Sequence, residues 1–447
     1  MSPPVTINLF TRVLTSRYAP IAVAAFVGFS LGLLVAALFF PPRIERAEVK
    51  TPAIEPASTP SESSPSTQKI PAVSYRAIDM VTVSSWQDDK LSEALPALLN
   101  ACAMFDTKPE NASVGPRGLG GTVLDWRAPC AALAGLAVED GPDADDRLRV
   151  ILSEFFTAYA VDTPEGSDGT FTGYYEASLT GSLAPSDIYS TPLFASPRDL
   201  VELDRRAFDL PPETPSVVGR VTGRRLVPYD SRKDIEQSAQ FSERADVLVW
   251  VDNPVDAHLL HIQGSGRVRM SDGTERRIGY AGNNGRRFRG IGGILLSAGE
   301  LGPGQGSMPS VVDWLKKNPE AARRYMEDNP RFIFFRWIEG PGPIGAFGTA
   351  LVPGRSLAVD PRYIPYGAPL WLDVDDPDGK SLDRLVVALD TGSAIRGAVR
   401  GDFFWGAGEA AFMKAGRMKS TGRYYLMLPR TVTVPPSPAS LSKGSAL

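Results

Sequence analysis

A chain of 447 residues, 43% hydrophobic and 22% charged, has room for roughly two or three ordinary domains and is neither a disordered polyelectrolyte nor a coiled coil. The formal net charge is −4 and no basic stripe stands out, which argues against nucleic acid as a partner. The 42 Gly and 39 Pro favour frequent turns, hence short strands over long helices.

Ile21–Phe40 reads IAVAAFVGFSLGLLVAALFF, with no charged residue. As a helix it covers about 30 Å, the hydrocarbon thickness of a bilayer. Arg12 and Arg17 precede it, and Arg43, Glu45 and Arg46 follow, so flanking charge does not fix its orientation. The run is longer than a usual signal-peptide core and its cleavage signal is weak, which favours an uncleaved anchor. No Cys follows it closely, which argues against a lipoprotein. The next stretch includes PAIEPASTPSESSPSTQKIPAVS, rich in Pro, Ser and Thr and unable to bury a core. Such a tether reaches on the order of 100 Å when extended.

The spacing of apolar residues predicts helices over 89–105, with Pro96 bending or resetting the first turn, over 128–137, and over 143–160, which opens on acids. Cys102 and Cys130 are the only cysteines. One pair at this spacing suits a disulfide in an exported domain; two unrelated buried thiols are the other reading. From Phe171 the runs VLVWV, HLLHIQ, RFIFFRW, PLWLDV and RLVVALD, separated by Gly, Pro, Asn and Asp, predict strands of a barrel-like region. A helical patch over 311–328 interrupts them.

Leu389–Gly397, LDTGSAIRG, poses the central question. Asp-Thr-Gly-Ser after an apolar run occurs around the catalytic acid of aspartic proteases, but those need two carboxylates sharing a proton. This chain has a single such turn and is far longer than a half-site protease. The strand still delivers Asp390 to its end, where Gly392 is expected to turn the chain at positive φ and an apolar wall is expected to raise the carboxyl's pKa. Asp360, in RSLAVDPRYIPYG, and Asp402, in RGDFFWG, lie in similar turn contexts nearby.

These segments, together with NPRFIFFRW, GPIGAFGTALVPG, FTGYYEASLTGS, GRRLVPYDSR and IQGSGRVRMSDGTERRIGYAGNNG, run in an order that resembles the membrane-bound lytic murein transglycosylase A family with its three-aspartate domain. The resemblance covers about 91–429. It implies a mainly β fold with N-terminal helices, in which a double-psi β-barrel carries an inserted second β-barrel and a groove between them holds a glycan strand. The expected division is a cytoplasmic segment 1–20, a transmembrane anchor 21–40, a linker 41–74, a catalytic domain 75–172 plus 329–430, an insert 173–328 and a tail 431–447. Ala177 stands where the family often has Pro, and Ser393 where Gly is common. The lipid-modified Cys of many members is missing, which favours an inner-membrane anchor with the catalytic part in the periplasm.

The resemblance makes Asp390 the single catalytic acid and Asp360 and Asp402 its supports. A hydrolytic glycosidase needs two carboxyl groups, whereas a transglycosylase can use the C6 hydroxyl of N-acetylmuramic acid as nucleophile and needs one. Groove candidates are Thr172, Tyr174, Tyr175 and Glu176 in TGYYE, Gln263, Gly264 and Ser265 in IQGSG, Tyr280, Asn283 and Asn284 in YAGNNG, and Gly392. Strand alternation expects one of the two tyrosines to be buried. His258 and His261, read as strand residues, should face opposite sides and make no metal site. No metal or cofactor is expected. The expected partners are peptidoglycan strands, the membrane and proteins of the cell-wall machinery.

Overall fold

In the computed structural model, residues 73–434 are described, apart from 84, 139–142, 211–215 and 341. The apolar segment 21–40, the linker up to residue 72 and the tail beyond 434 lie outside them. Among the described residues no helix is long and apolar enough to cross a membrane.

The strands are β1 (Ser74–Ile78), β2 (Phe156–Asp162), β3 (Gly169–Ser182), β4 (Thr191–Phe194), β5 (Val201–Glu202), β6 (Val218–Thr222), β7 (Arg225–Pro228), β8 (Val247–Val251), β9 (Ser265–Met270), β10 (Glu275–Asn283), β11 (Ile333–Ile338), β12 (Ser356–Val359), β13 (Pro369–Val374), β14 (Arg384–Asp390), β15 (Arg400–Ala407) and β16 (Lys419–Pro429). The helices are α1 (Leu95–Asp106), α2 (Val123–Val138), α3 (Ala144–Phe155), α4 (Arg232–Gln237), α5 (Pro254–Gln263), α6 (Ile291–Ser297), α7 (Met308–Lys317), α8 (Pro319–Glu327) and α9 (Glu409–Arg417).

Thirteen strands join in one sheet, ordered β1-β2-β16-β13-β14-β12-β15-β3-β9-β10-β11 with β4 and β8 off this path, while β5, β6 and β7 form a small sheet of their own. β16 also pairs with β3, so the path β16-β13-β14-β12-β15-β3 returns on itself. The strands of this ring bury near-continuous apolar runs: Leu385–Leu389 are all 0% exposed. β3 serves two neighbourhoods. Its residues 170–174 pair in parallel with β15, and residues 177–181 pair in parallel with β9.

α1, α2 and α3 pack on the ring through Leu98, Phe105, Trp126, Leu133 and Leu152. Pro96 resets the helix as expected, since a 3-10 turn over Leu91–Ala94 ends where α1 begins with proline in its first turn. The Cys102–Cys130 disulfide ties α1 to α2. Their sequence separation of 28 sets a loop-closure contribution of about 3–4 kcal/mol.

Four expectations are corrected. The fold is a mixed α/β one rather than mainly β, because α4, α6 and α9 add to the helices read from the sequence. The helix expected over 143–160 ends at Phe155, and 156–162 continue as β2, where Phe156, Ala158 and Ala160 alternate into the core. HLLHIQ is helical, not a strand. Asn253 caps α5 by accepting from the Val255 and Asp256 N–H groups, and Pro254 occupies its first turn. The patch over 311–328 is two helices, separated at Asn318 with Pro319 starting the second.

Candidate active site

The site is built where β14, β12, β15 and β3 lie side by side. Ala358 on β12 pairs with Asp390 on one side and with Asp402 on the other, and Asp402 pairs with Thr172. The β12–β14 pairing skips one residue between Ala388 and Asp390, a bulge of the kind that re-aims a side chain at the edge of a site.

Asp390 is only partly exposed. Its Oδ1 accepts from the Ala346 N–H at 2.8 Å and the Thr391 N–H at 2.9 Å. Burial pushes its carboxyl above the ordinary carboxylate value; the two N–H bonds and the Tyr174 hydroxyl pull the other way without cancelling it. Thr391 Oγ1 donates to the Val359 carbonyl at 2.7 Å, which ties the turn back to β12.

Asp402 accepts from Thr172 Oγ1 at 2.5 Å, and Thr172 Oγ1 in turn accepts from Arg400 Nη2 at 2.8 Å. Burial pushes the Asp402 carboxyl up to about 6; the Thr172 bond and Arg400 resist, and the charge of Asp390 adds to the rise. Asp360 differs. Fully buried, it receives Arg362 Nε at 2.9 Å and Nη2 at 2.6 Å, with backbone N–H groups of Gly397 at 2.8 Å and Arg362 at 3.1 Å. Burial opposes its charge, but this shell outweighs it and holds the carboxyl below the usual range. Asp360 is thus an ionised anchor for the 391–399 loop, whereas Asp390 and Asp402 both hold protons more tightly than free carboxylates.

Tyr174 packs on Phe404, with ring centroids 5.1 Å apart. Its hydroxyl is buried beside Asp390 and Asp402 without an aligned hydrogen bond, and burial followed by the two carboxylates raises its pKa. Tyr175 is the buried one of the pair by residue, 8% exposed and packed on Phe412. Gly173, just before them, leaves room for α9: a Cβ there would meet Trp405 at 2.6 Å and the Ala415 backbone at 2.9 Å.

The other candidates divide. Glu176 is 1% exposed and ion-paired to Arg267 at 2.6 Å and Arg277 at 3.2 Å. Asn284 is equally buried; its amide donates to the carbonyls of Asp230 and Pro330, and its oxygen accepts from the N–H groups of Phe332 and Arg286. With both donors and both lone pairs engaged, Asn284 knits the insert together and has nothing left for a ligand. Gln263 accepts from the Tyr175 N–H, and Gly264 ends α5 at φ 81°. Ser265 opens β9 opposite Gly279. Tyr280 is exposed and accepts from Asn283 Nδ2 at 2.6 Å.

Gly392 does not turn at positive φ as expected; the left-handed position falls at Gly397, φ 128°. A Cβ at Gly392 would instead crowd Ile395 at 3.1 Å. His258 and His261 lie on one side of α5, both buried. His261 Nδ1 accepts from the Ile333 N–H, and the ring nitrogens of His258 have no protein partner. The sequence reading missed Tyr366 and Phe347, stacked at 5.7 Å, although Tyr366 lies within the field of Asp390 and the Phe347 N–H bonds the carbonyl of Leu389. Both sit in irregular segments without periodicity, so no pattern marked them.

Known proteins resemble this chain in sequence and fold. A family model for the MltA specific insert domain matches residues 170–336, and one for the 3D domain matches residues 355–428. A membrane-bound lytic murein transglycosylase A of Vibrio cholerae is 32% identical over 203 residues, 44% of this chain and 55% of that protein. The aligned stretch therefore spans about half the length of this curated relative. The crystal structure of MltA from Neisseria gonorrhoeae superposes with a TM-score of 0.67 at 30% identity, covering 82% of this chain and 94% of the other. A lytic transglycosylase, LtgG, of Burkholderia pseudomallei is 36% identical with a TM-score of 0.54, covering 81% of this chain and 97% of the other. With identity at this level over nearly the full length of solved relatives, the chain belongs to the membrane-bound lytic murein transglycosylase A family.

Proposed function

We propose that the chain is a lytic transglycosylase that cleaves the β-1,4 bond between N-acetylmuramic acid and N-acetylglucosamine in peptidoglycan. The observation that carries the reading is a carboxyl, Asp390, whose pKa is raised by burial at a strand end still partly open to solvent, while the neighbouring Asp360 is locked as an anion. Asp390 gives its proton to the glycosidic oxygen as the bond to muramic C1 breaks. The carboxylate so formed takes the proton of the C6 hydroxyl as O6 closes on C1. N-acetylglucosamine leaves with a free C4 hydroxyl, the muramic ring ends as a 1,6-anhydride, and no water is consumed. Asp390 returns protonated.

In this scheme burial keeps Asp390 protonated, Asp402 is a second raised acid that feels the charge of Asp390, Tyr174 lies beside both carboxyls, and Asp360 holds the loop that follows Asp390. The N–H of Ala346 and of Thr391 prevent the carboxylate from swinging away. The closed pairing path through β16 and β3 supports the double-psi barrel reading, with 75–172 and 329–430 forming the main domain and 173–328 the insert. The apolar run 21–40 and the disulfide together support an inner-membrane anchor with this part in the periplasm, where disulfides form.

The test is digestion of purified murein with Asp390→Asn and Asp390→Ala proteins, followed by mass spectrometry of the products. Wild type should release 1,6-anhydro ends, and both variants should lose about 10²–10⁴-fold in rate. Release of reducing ends would instead make the protein a hydrolase. Sedimentation with murein without any release would make it a non-catalytic binder.

A further inference from the structure

β15 and β3 run parallel, and their register pairs Arg400 with Thr170, Asp402 with Thr172 and Phe404 with Tyr174. Alternate residues of a strand share a face, so Arg400, Asp402 and Phe404 line up on one side of β15 and meet Thr170, Thr172 and Tyr174 on the same side of β3. At the far rung Phe404 packs on the Tyr174 ring. At the near rung Arg400 spans both strands. Its Nη1 donates to the Thr170 carbonyl at 3.2 Å and to the Gly401 carbonyl, and its Nη2 donates to Thr172 Oγ1 at 2.8 Å.

A guanidinium can only donate, so Thr172 Oγ1 accepts from it, and the one proton of the hydroxyl is left for Asp402 Oδ1 at 2.5 Å. Accepting from a cation polarises the hydroxyl and strengthens the bond it donates, so the chain Arg400–Thr172–Asp402 runs in one direction. A bond donated to a carboxylate favours its charged form. Around this chain stand Asp390 on β14, Tyr174 on β3 and, opposite Thr172 on β16, the exposed Lys419. Burial drives the Asp402 carboxyl up to about 6, so a chain of bonds that resists the rise decides how much of it is ionised near neutral pH.

We infer that Arg400 is a positioning residue: acting through the Thr172 hydroxyl, it holds the Asp402 carboxyl in place and keeps it charged beside Asp390. The inference rests on the reading of this site as the acid centre of a transglycosylase. Arg400 itself is held by the Thr170 and Gly401 carbonyls, so the orientation of the Thr172 hydroxyl is set by the backbone of the two strands that carry it and its target.

The test titrates Asp402 directly. The full chain is isotope-labelled at its aspartate carboxyls and followed by NMR in an Asp390→Asn background, which removes the coupled acid; the Asp402 resonance is the one lost in Asp402→Asn. Arg400→Gln and Thr172→Val should each raise the Asp402 midpoint by about one pH unit. The double variant should move little beyond the larger single shift, because both changes break one chain. Thr172→Ser keeps the hydroxyl and should titrate like its parent, and Arg400→Lys should recover part of the shift. An unmoved midpoint in Thr172→Val overturns the inference. So does an Arg400→Gln shift that stays the same size in the Thr172→Val background, since Arg400 would then act through its field alone. If Arg400→Gln fails to fold, the two Thr172 variants still decide. With Asp390 intact, Arg400→Gln should lower kcat on murein about tenfold and change strand affinity less than about twofold; an equal loss of affinity would make Arg400 a strand-binding residue instead. Failure of the wild type to make anhydro ends would sink the transglycosylase reading, yet the titration would still decide what Arg400 does to Asp402.

Discussion

Ala358 sets the spacing of the two acids. It lies between Asp390 and Asp402 in the sheet with only a methyl group, so the carboxyls feel each other's charge across it. A charge on either carboxyl disfavours a charge on the other. If Asp390 works as an acid, kcat/KM falls as pH rises through its raised pKa. Asp402→Asn removes the negative neighbour and should move this alkaline limb to lower pH. Tyr174→Phe removes a hydroxyl that favours the charged form of Asp390 and should move the limb to higher pH. A pH–rate profile of the three proteins checks both signs; shifts in the same direction, or none, would separate these groups from the titration. Asp360 and Asp390 were legible because each ends an apolar run and precedes a turn; Asp402, expected in a turn, lies instead inside β15. Their different roles were not, since Asp360 gains its arginine only two residues on and its Gly397 contact from a distant loop. Glu176 and Asn284 looked like sugar ligands for a similar reason: sequence displays their hydrogen-bonding capacity but not the partners that exhaust it.

At the scale of elements, α5 shows how a cap outweighs an apolar pattern. HLLHIQ reads equally as a strand, but Asn253-Pro254 just before it is a helix start, and that signal decides the conformation. The helix buries His258 and His261 beside Arg232, and burial, then Arg232, drives both imidazoles well below their ordinary pKa. Being neutral in the fold, they contribute stability above the unfolded pKa of about 6.5 that is lost as pH falls below it. His258→Leu should soften this acid sensitivity and raise the urea midpoint at pH 5, by about 1 kcal/mol for a buried polar group without a protein partner. A lower midpoint would mean that His258 has a partner after all. Between α1 and α2 the prediction is of opposite sign. Cys102→Ala with Cys130→Ala should cost about 3–4 kcal/mol in urea unfolding, the contribution expected for closing that loop.

For the molecule as a whole, the site is a destabilised spot in a well-packed ring. Because the Asp390 pKa is raised by folding, its ionisation opposes folding as pH climbs from the unfolded carboxylate value through the raised one. Asp390→Asn should therefore raise Tm at pH 7 by about 2–4 °C while abolishing turnover, and the gain should vanish below about pH 4. Scanning calorimetry at both pH values checks this; a gain that persists in acid would point to packing rather than charge. The strands β13 and β14 were read from the sequence to the residue, because their buried runs are continuous and bounded by turns. The return of β16 onto β3 was not, since nothing local in either segment encodes a partner hundreds of residues away.

β3 is one uninterrupted length of backbone, bonded to β15 and β16 at its start and to β9 and β8 at its end. One unbroken strand thus fixes the distance between the residues it lends to β15 and those it lends to β9, like two marks on a single rule.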